Sequence, residues 1–211
     1  LFPWFSDYDI FDMPDIDAIV DTMSEAGKIA MDAGQRLSFH PGPFNCLGSH
    51  NESVVQKTIA ELDAHATQMD LMGLPDSPRA KINIHIGGAY GEHDKALARF
   101  CDNFKRLAPT TQSRLTVEND DRESMFSTKM LYDGVSKRIG VPIVFDSHHH
   151  DLGPQDLDYH DAFHLARQTW AARGVKQQCH HSNSRKQYED PSCKAQAHSD
   201  WYYTPFEAYD K

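Results

Sequence analysis

The sequence predicts an α/β fold, a partial barrel of the TIM type, and three observations carry that prediction. Five apolar, strand-like runs recur along the chain: Arg36-Leu-Ser-Phe-His40, Ile82-Asn-Ile-His85, Leu115-Thr-Val-Glu118, Ile143-Val-Phe-Asp146 and Val175-Lys-Gln-Gln-Cys-His180. The stretches between them are long enough for a helix and its two loops, which is the spacing of parallel β/α units. Each run ends in a residue that can ligate a metal ion. In a barrel of such units the carboxyl ends of the strands converge on one face, where active sites sit.

The elements follow in order. Residues 14–33 form an amphipathic helix, because Ile16, Ile19, Val20, Met23 and Ile29 recur at helical spacing and Gly34 stops it. The strand to His40 leads into a loop holding Pro41, Pro43, Phe44 and Gly48. Asn51 caps the next helix, whose apolar stripe is Val54, Val55, Ile59, Leu62, Met69 and Met72. Gly73 ends it, and Pro75 and Pro78 mark a turn. The strand to His85 runs into Ile86-Gly-Gly-Ala-Tyr-Gly91. A helix over 94–107 turns Leu97, Phe100 and Phe104 inward. The strand to Glu118 gives way to a charged loop over 119–123. Residues 125–139 are predicted helical, with Gly140 and Pro142 as the break into the strand to Asp146. A helix over 158–173 precedes the strand to His180, and a long polar segment follows.

Composition sets the bounds. A chain of 211 residues, 39% of them hydrophobic, can bury one sizeable core, so a single domain over 1–211 is expected. A closed barrel needs eight strands, and five are found, so strands are expected to be missing at both ends. The chain opens at Leu1 with an apolar Leu1-Phe-Pro-Trp-Phe5, and reads as a segment of a longer protein. No run is long enough to span a membrane. Four cysteines without CxxC spacing suit a reduced, intracellular protein. The net charge of −10 argues against indiscriminate nucleic-acid binding, although a cluster of divalent cations reverses that sign locally. A monomer is expected.

Ligand-type residues at five successive strand ends point to a multi-metal site, because only one barrel face collects them. Imidazole and carboxylate without paired thiols suit manganese, zinc or iron rather than a structural thiolate zinc site. Glu118 and Asp146 are the natural bridging carboxylates, which fits a two-metal displacement on a phosphate ester. In Asp146-Ser-His-His-His150 the pattern leaves two outcomes open. An extended backbone puts His148 and His150 on the face of Asp146, whereas a turn swings His149 in; at least one of the three is expected to be a solvated loop residue. The glycines after His85 allow close backbone approach, and Tyr90 there, like Phe44, can stack on a ring. Cys179, Cys193, His180 and His198 could suggest a zinc site, but Cys179 should face away from His180 on a strand.

Taken together, Ser38-Phe-His-Pro-Gly42, His85-Ile-Gly-Gly-Ala-Tyr-Gly91, Glu118-Asn-Asp120, Asp146 with His149-His150, His180-His-Ser182 and Ala197-His-Ser-Asp200 resemble the UV damage endonucleases. The resemblance runs over essentially the whole chain, from Leu1-Phe-Pro-Trp4 onward. It implies a TIM barrel related to endonuclease IV and the xylose isomerases, here its third to seventh β/α units. It implies a metal-dependent DNA repair endonuclease that nicks double-stranded DNA 5′ of UV photoproducts, in the nucleoid or nucleus. The cofactors implied are divalent ions, manganese first, with zinc and magnesium as the other candidates. His40, His85, Glu118, Asp146, His149, His180 and His198 are the implied metal ligands, with Glu118, Asp146 and His85 catalytic. Phe44, Tyr90 and Asn119 are the expected substrate contacts.

The chain departs from the family pattern in three places. Pro43 stands where the family has a Gln implicated in probing damaged bases. Gln178 stands where the family often has a Lys whose modified side chain can join the cluster. A further Glu ligand on the closing strand, and the first two strands, are absent. Two rival readings share the superfold: a sugar isomerase with a closed polar pocket, and a degenerate metal-binding member that has lost catalysis, which Gln178 favours.

Overall fold

The computed structural model describes residues 10–206, so the apolar opening Leu1-Phe-Pro-Trp-Phe5 lies outside the described residues. Four parallel strands form one open sheet in chain order: β1 (Ile82–Ile84), β2 (Leu115–Glu118), β3 (Ile143–Asp146) and β4 (Cys179–His180). The register sets Ile82 beside Leu115, Val117 beside Ile143 and Asp146 beside His180. This is an arc of a (β/α) barrel, as the sequence predicts.

The outer runs are shorter than predicted. The run to His40 makes a single parallel bridge, in which the Phe39 amide donates to Lys81 O at 3.0 Å and the Asn83 amide to Phe39 O at 2.9 Å. The run to His180 is extended only at its last two residues. Both lie at edges of the arc, where one neighbour at most can hold the backbone, and Lys176, Gln177 and Gln178 supply no apolar face to help.

Helices follow the strands. α1 (Ile16–Asp32) ends before Gly34, whose φ is +68°. It packs on the C-terminal end of α2 through Gly27, where a Cβ would collide with the Met72 carbonyl. Its predicted stripe is only partly covered, and Ile29 and Met31 remain exposed. In α2 (Glu52–Leu71) the Asn51 side chain accepts from the Ser53 amide, the predicted cap. α3 (His93–Phe104) buries Leu97, Phe100 and Phe104. The unpredicted α4 (Pro109–Arg114) starts on proline and has no apolar stripe. It is held by Arg114, which is buried and binds Asp70 at 2.6 Å and the carbonyls of Leu74 and Pro75.

The helix predicted over 125–139 is shorter and not uniform. α5 (Thr128–Leu131) widens through a π-helical turn (Tyr132–Ser136) into α6 (Lys137–Ile139). Gly134 lies in that turn, and a Cβ there would come within 2.5 Å of Leu97 Cδ1. α7 (Ser147–Leu152) starts directly on β3, and α8 (Tyr159–Ala171) is capped by Asp158, which accepts from the Asp161 amide. α9 (Arg185–Tyr188) and an antiparallel bridge between Ser184 and His198 fold the polar segment back over β4.

Alternation along the strands sorts the core from the site. Ile82, Ile84, Leu115, Val117, Ile143 and Phe145 join Leu62, Ala66, Met69 and Phe100 in one apolar cluster. Asn83, Thr116, Glu118 and Asp146 are the buried polar residues interleaved with them. Among the described residues no helix is long and apolar enough to cross a membrane. All four cysteines are free.

Candidate metal centre

The polar residues interleaved along the strands meet at the carboxyl end of the arc. His40, His85, Glu118, Asp146, His149, His180 and His198 all line one cavity of about 530 Å³, together with Pro43, His181 and Ser182. These are the seven predicted ligand residues. Two sets hold donor atoms within 4.8 Å of one another: His40, His85 and Glu118, and Glu118, Asp146 and His149.

Glu118 is the residue common to both. It is 1% exposed at the end of β2, and both oxygens are engaged. Oε1 lies 3.0 Å from His180 Nδ1 and 3.4 Å from His149 Nδ1. Oε2 lies 3.0 Å from His40 Nε2 and also accepts from the Asn83 side-chain amide. Burial alone would raise this carboxyl, but the hydrogen bonds from His180 and His40, reinforced by the charge of His85, hold it well below the usual carboxylate range.

Asp146 resolves the histidine triplet. Its side chain accepts from the His149 amide at 2.9 Å and caps α7, so the chain turns and His149 enters the cavity. His149 Nδ1 meets Asn119 O at 3.0 Å, and its Nε2 lies 3.3 Å from His198 Nε2. The expectation of a solvated loop histidine fails, because all three are buried. His150 packs against Phe145 and Tyr159, and His148 meets the His198 ring edge-on. Ser182 Oγ sits 2.7 Å from His198 Nδ1 and fixes that ring.

His85 follows β1. Its Nδ1 lies 3.2 Å from Asp120 Oδ1, without hydrogen-bond geometry. Burial pulls against protonation, but Asp120, with Glu118 and Asp121, pushes His85 up to about 9. Asp120 is itself held, accepting from the Phe126 amide. Under the cavity, buried Lys81 reaches His180 Nε2 at 3.2 Å, and burial draws its ammonium down to about 8 against the pull of Glu118.

The predicted substrate contacts are placed differently from one another. Phe44 is 79% exposed and Tyr90 58%, and neither lines the cavity. Tyr90 adopts φ +47° in the glycine loop and packs against His50 at 4.2 Å. Asn119 is buried, and its amide is spent on the backbone of Asp146, donating to the carbonyl at 3.0 Å and accepting from the amide at 2.9 Å. It ties β2 to β3 and is not among the residues that line the cavity. Cys179 packs against the apolar core, and burial pushes its thiol up to about 12. Gln178 carries a buried Oε1 without a partner. Asp120 and Ser182 lie within the motifs but carry no role there, and Lys81 and Asn83 lie outside them, although both stand at even spacing from His85, on the same face of the strand.

The donor set fits divalent cations. Imidazoles and carboxylates converge without thiolate, around an ionised carboxylate shared by two triads.

The family model of UV-endonuclease UvdE matches residues 2–206. The UV DNA damage endonuclease of Bacillus pumilus is 33% identical over 164 residues, covering 77% of this chain and 50% of that protein. The UV-damage endonuclease of Neurospora crassa is 32% identical over 173 residues, covering 77% of this chain and 26% of that protein. The chain thus spans about half the length of the bacterial relative and about a quarter of the fungal one. Among solved structures, the crystal structure of SacUVDE superposes with a TM-score of 0.76 at 32% identity, covering 87% of this chain and 58% of that one. Endonuclease IV from Thermus thermophilus superposes at 0.53 with 17% identity, over 82% of this chain and 58% of that one, a likeness of fold alone.

Proposed function

The chain belongs to the UV-endonuclease UvdE family, and from that premise we propose that its cavity is the metal centre of a DNA repair endonuclease that hydrolyses a phosphodiester 5′ of a UV photoproduct. The observation that carries the reading is Glu118, one ionised, buried carboxylate shared by two ligand triads. His40, His85, His149, His180 and His198 would supply imidazole donors and Glu118 and Asp146 carboxylate donors. The cation is manganese, with zinc and magnesium as alternatives. Bound there, divalent cations supply Lewis acidity to a phosphate ester and lower the pKa of water.

The chain's own residues do the rest. Asn83 and Lys81 hold Glu118 and His180 in place from below. Asp120 and Ser182 orient His85 and His198. Phe44 and Tyr90 present exposed rings that can stack on distorted or extruded bases. Pro43 lines the cavity but has no side-chain donor or acceptor, so discrimination rests on how easily damaged duplex deforms. The partner is damaged double-stranded DNA inside the cell, approached by a monomer.

The test is nicking of UV-irradiated and unirradiated plasmid with Mn2+, Zn2+ or Mg2+, against a chelator control. Cleavage confined to irradiated plasmid and restored by Mn2+ is expected. A loaded chain that leaves irradiated plasmid intact would contradict the reading.

A further inference from the structure

A second pair of imidazoles converges on α8, built from none of the residues that line the cavity. His160 and His164 stand one helical turn apart, so their side chains share a face. Their Nε2 atoms are 3.2 Å apart, while the ring centroids are 4.3 Å apart and the planes cross at 62°. The nitrogens are closer than the ring centres, so the tips of the rings incline towards a common point off the helix.

That separation matches the bite of a single metal ion. With imidazole–metal bonds of about 2.05 Å, nitrogens 3.2 Å apart subtend an angle of about 103° at the ion, close to the tetrahedral value. The surroundings favour a cation. Asp161 Oδ1 lies 3.8 Å from His160 Nδ1, the nitrogen remote from the convergence point, and a carboxylate on that side makes Nε2 the better ligand. Asp158 caps the helix and offsets the positive end of its dipole. The base of the site is fixed, because His164 packs edge-on against Phe163, and Phe163 in turn against Phe145, the residue before Asp146.

We propose that His160 and His164 form a surface site for one imidazole-preferring divalent transition ion, of the class of Zn2+, Ni2+ and Cu2+. Two imidazoles with water completing the sphere select these late ions over Mn2+ and Mg2+, which prefer oxygen. The site therefore differs from the cavity in having no carboxylate among its converging donors. An ion held there clips one turn of α8 and stiffens the shelf under β3.

The experiment uses the full chain preloaded with Mn2+ and titrated with Ni2+ under equilibrium dialysis, with metal content read directly. The parent should bind one equivalent of Ni2+ more than His160→Gln and one more than His164→Gln. Glu118→Gln should retain that equivalent. Ni2+ should also raise the melting temperature of the parent by more than that of the His160→Gln chain, the cavity being common to both. His160 is exposed, so its substitution spares the metal-free fold even if His164→Gln does not. The proposal is overturned if His160→Gln binds as much Ni2+ as the parent, or if Glu118→Gln alone abolishes the extra equivalent.

Discussion

Replacing Glu118 by Gln should cost stability and cation binding together, and the hydrogen-bond directions give the size of the first effect. Asn83 Oδ1 accepts the Thr116 hydroxyl at 2.8 Å, so the nitrogen of its amide must face Glu118 Oε2. The Lys81 ammonium donates to His180 Nε2, so His180 Nδ1 carries its proton towards Glu118 Oε1. Glutamate accepts at both ends. A glutamine must turn its NH2 towards one of these donors, leaving donor against donor in a site that is 1% exposed. A buried polar group without a partner costs about 1–3 kcal/mol. In a chain of this size each kcal/mol moves the melting temperature by about 2–4 °C. The metal-free Glu118→Gln chain should therefore melt about 2–12 °C below the parent. Loss of the carboxylate common to both triads should also strip bound Mn2+ and lower nicking by at least about a hundredfold, the scale set by one preorganised charge contact. Thermal melting in chelator, metal analysis after dialysis and plasmid nicking give the three readings. A variant that melts with the parent and keeps its full Mn2+ content refutes the reasoning.

Three further outcomes follow from the same geometry. His85 is pushed up to about 9, against an ordinary imidazole value near 6.5, so its charge stabilises the metal-free fold in full below about pH 6.5 and this contribution is lost as pH rises through 9. A cation must displace that proton, so Mn2+ affinity should climb between about pH 6.5 and 9 with proton release, measured by calorimetry in buffers of different ionisation enthalpy; a flat affinity would sink this account. Asp120→Asn removes the charge 3.2 Å from His85 and should weaken Mn2+ binding by about tenfold while flattening that pH dependence; an unchanged affinity and slope would show that Asp120 does not orient the ligand. Pro43→Gln restores a side chain able to hydrogen-bond a base edge at the cavity rim, and should raise the ratio of nicking rates on damaged over undamaged duplex; a lowered ratio means that Pro43 belongs to a different, competent recognition loop.

The parts of this molecule that were legible in its sequence are those decided by neighbours in the chain. β1, β2 and β3 end at or beside His85, Glu118 and Asp146 as the apolar runs indicate, and Asn51 caps its helix as its residue type indicates. The runs at 36–40 and 175–180 shrink because a strand at the edge depends on pairing that the chain itself does not encode locally. α4 has no stripe to read and is held from outside by the carbonyls and carboxylate around Arg114. The histidine triplet shows the same limit at the site. Alternation along an extended chain could not choose among His148, His149 and His150, because the choice is made by a side chain, the Asp146 carboxylate capping the His149 amide.

The support beneath the ligands was nevertheless readable. Lys81 and Asn83 precede His85 by four and two residues, on the same face of a strand whose other residues are apolar. Thr116 stands likewise two residues before Glu118. A polar side chain on the inward face of a buried strand must find a partner, because leaving it unpaired costs as much as a hydrogen bond is worth. The ligand at the end of its own strand lies one step above it, and the ligands of the adjoining strands lie beside it. Asn83 accordingly reaches Glu118 and Thr116 reaches Asn83 on the adjoining strand, while the longer Lys81 reaches across the arc to His180. Counting back in twos from His85 and Glu118 thus locates the residues that orient the candidate ligands, whereas the same count from Asp146 meets the apolar Val144, and the physical reason owes nothing to the identity of the metal.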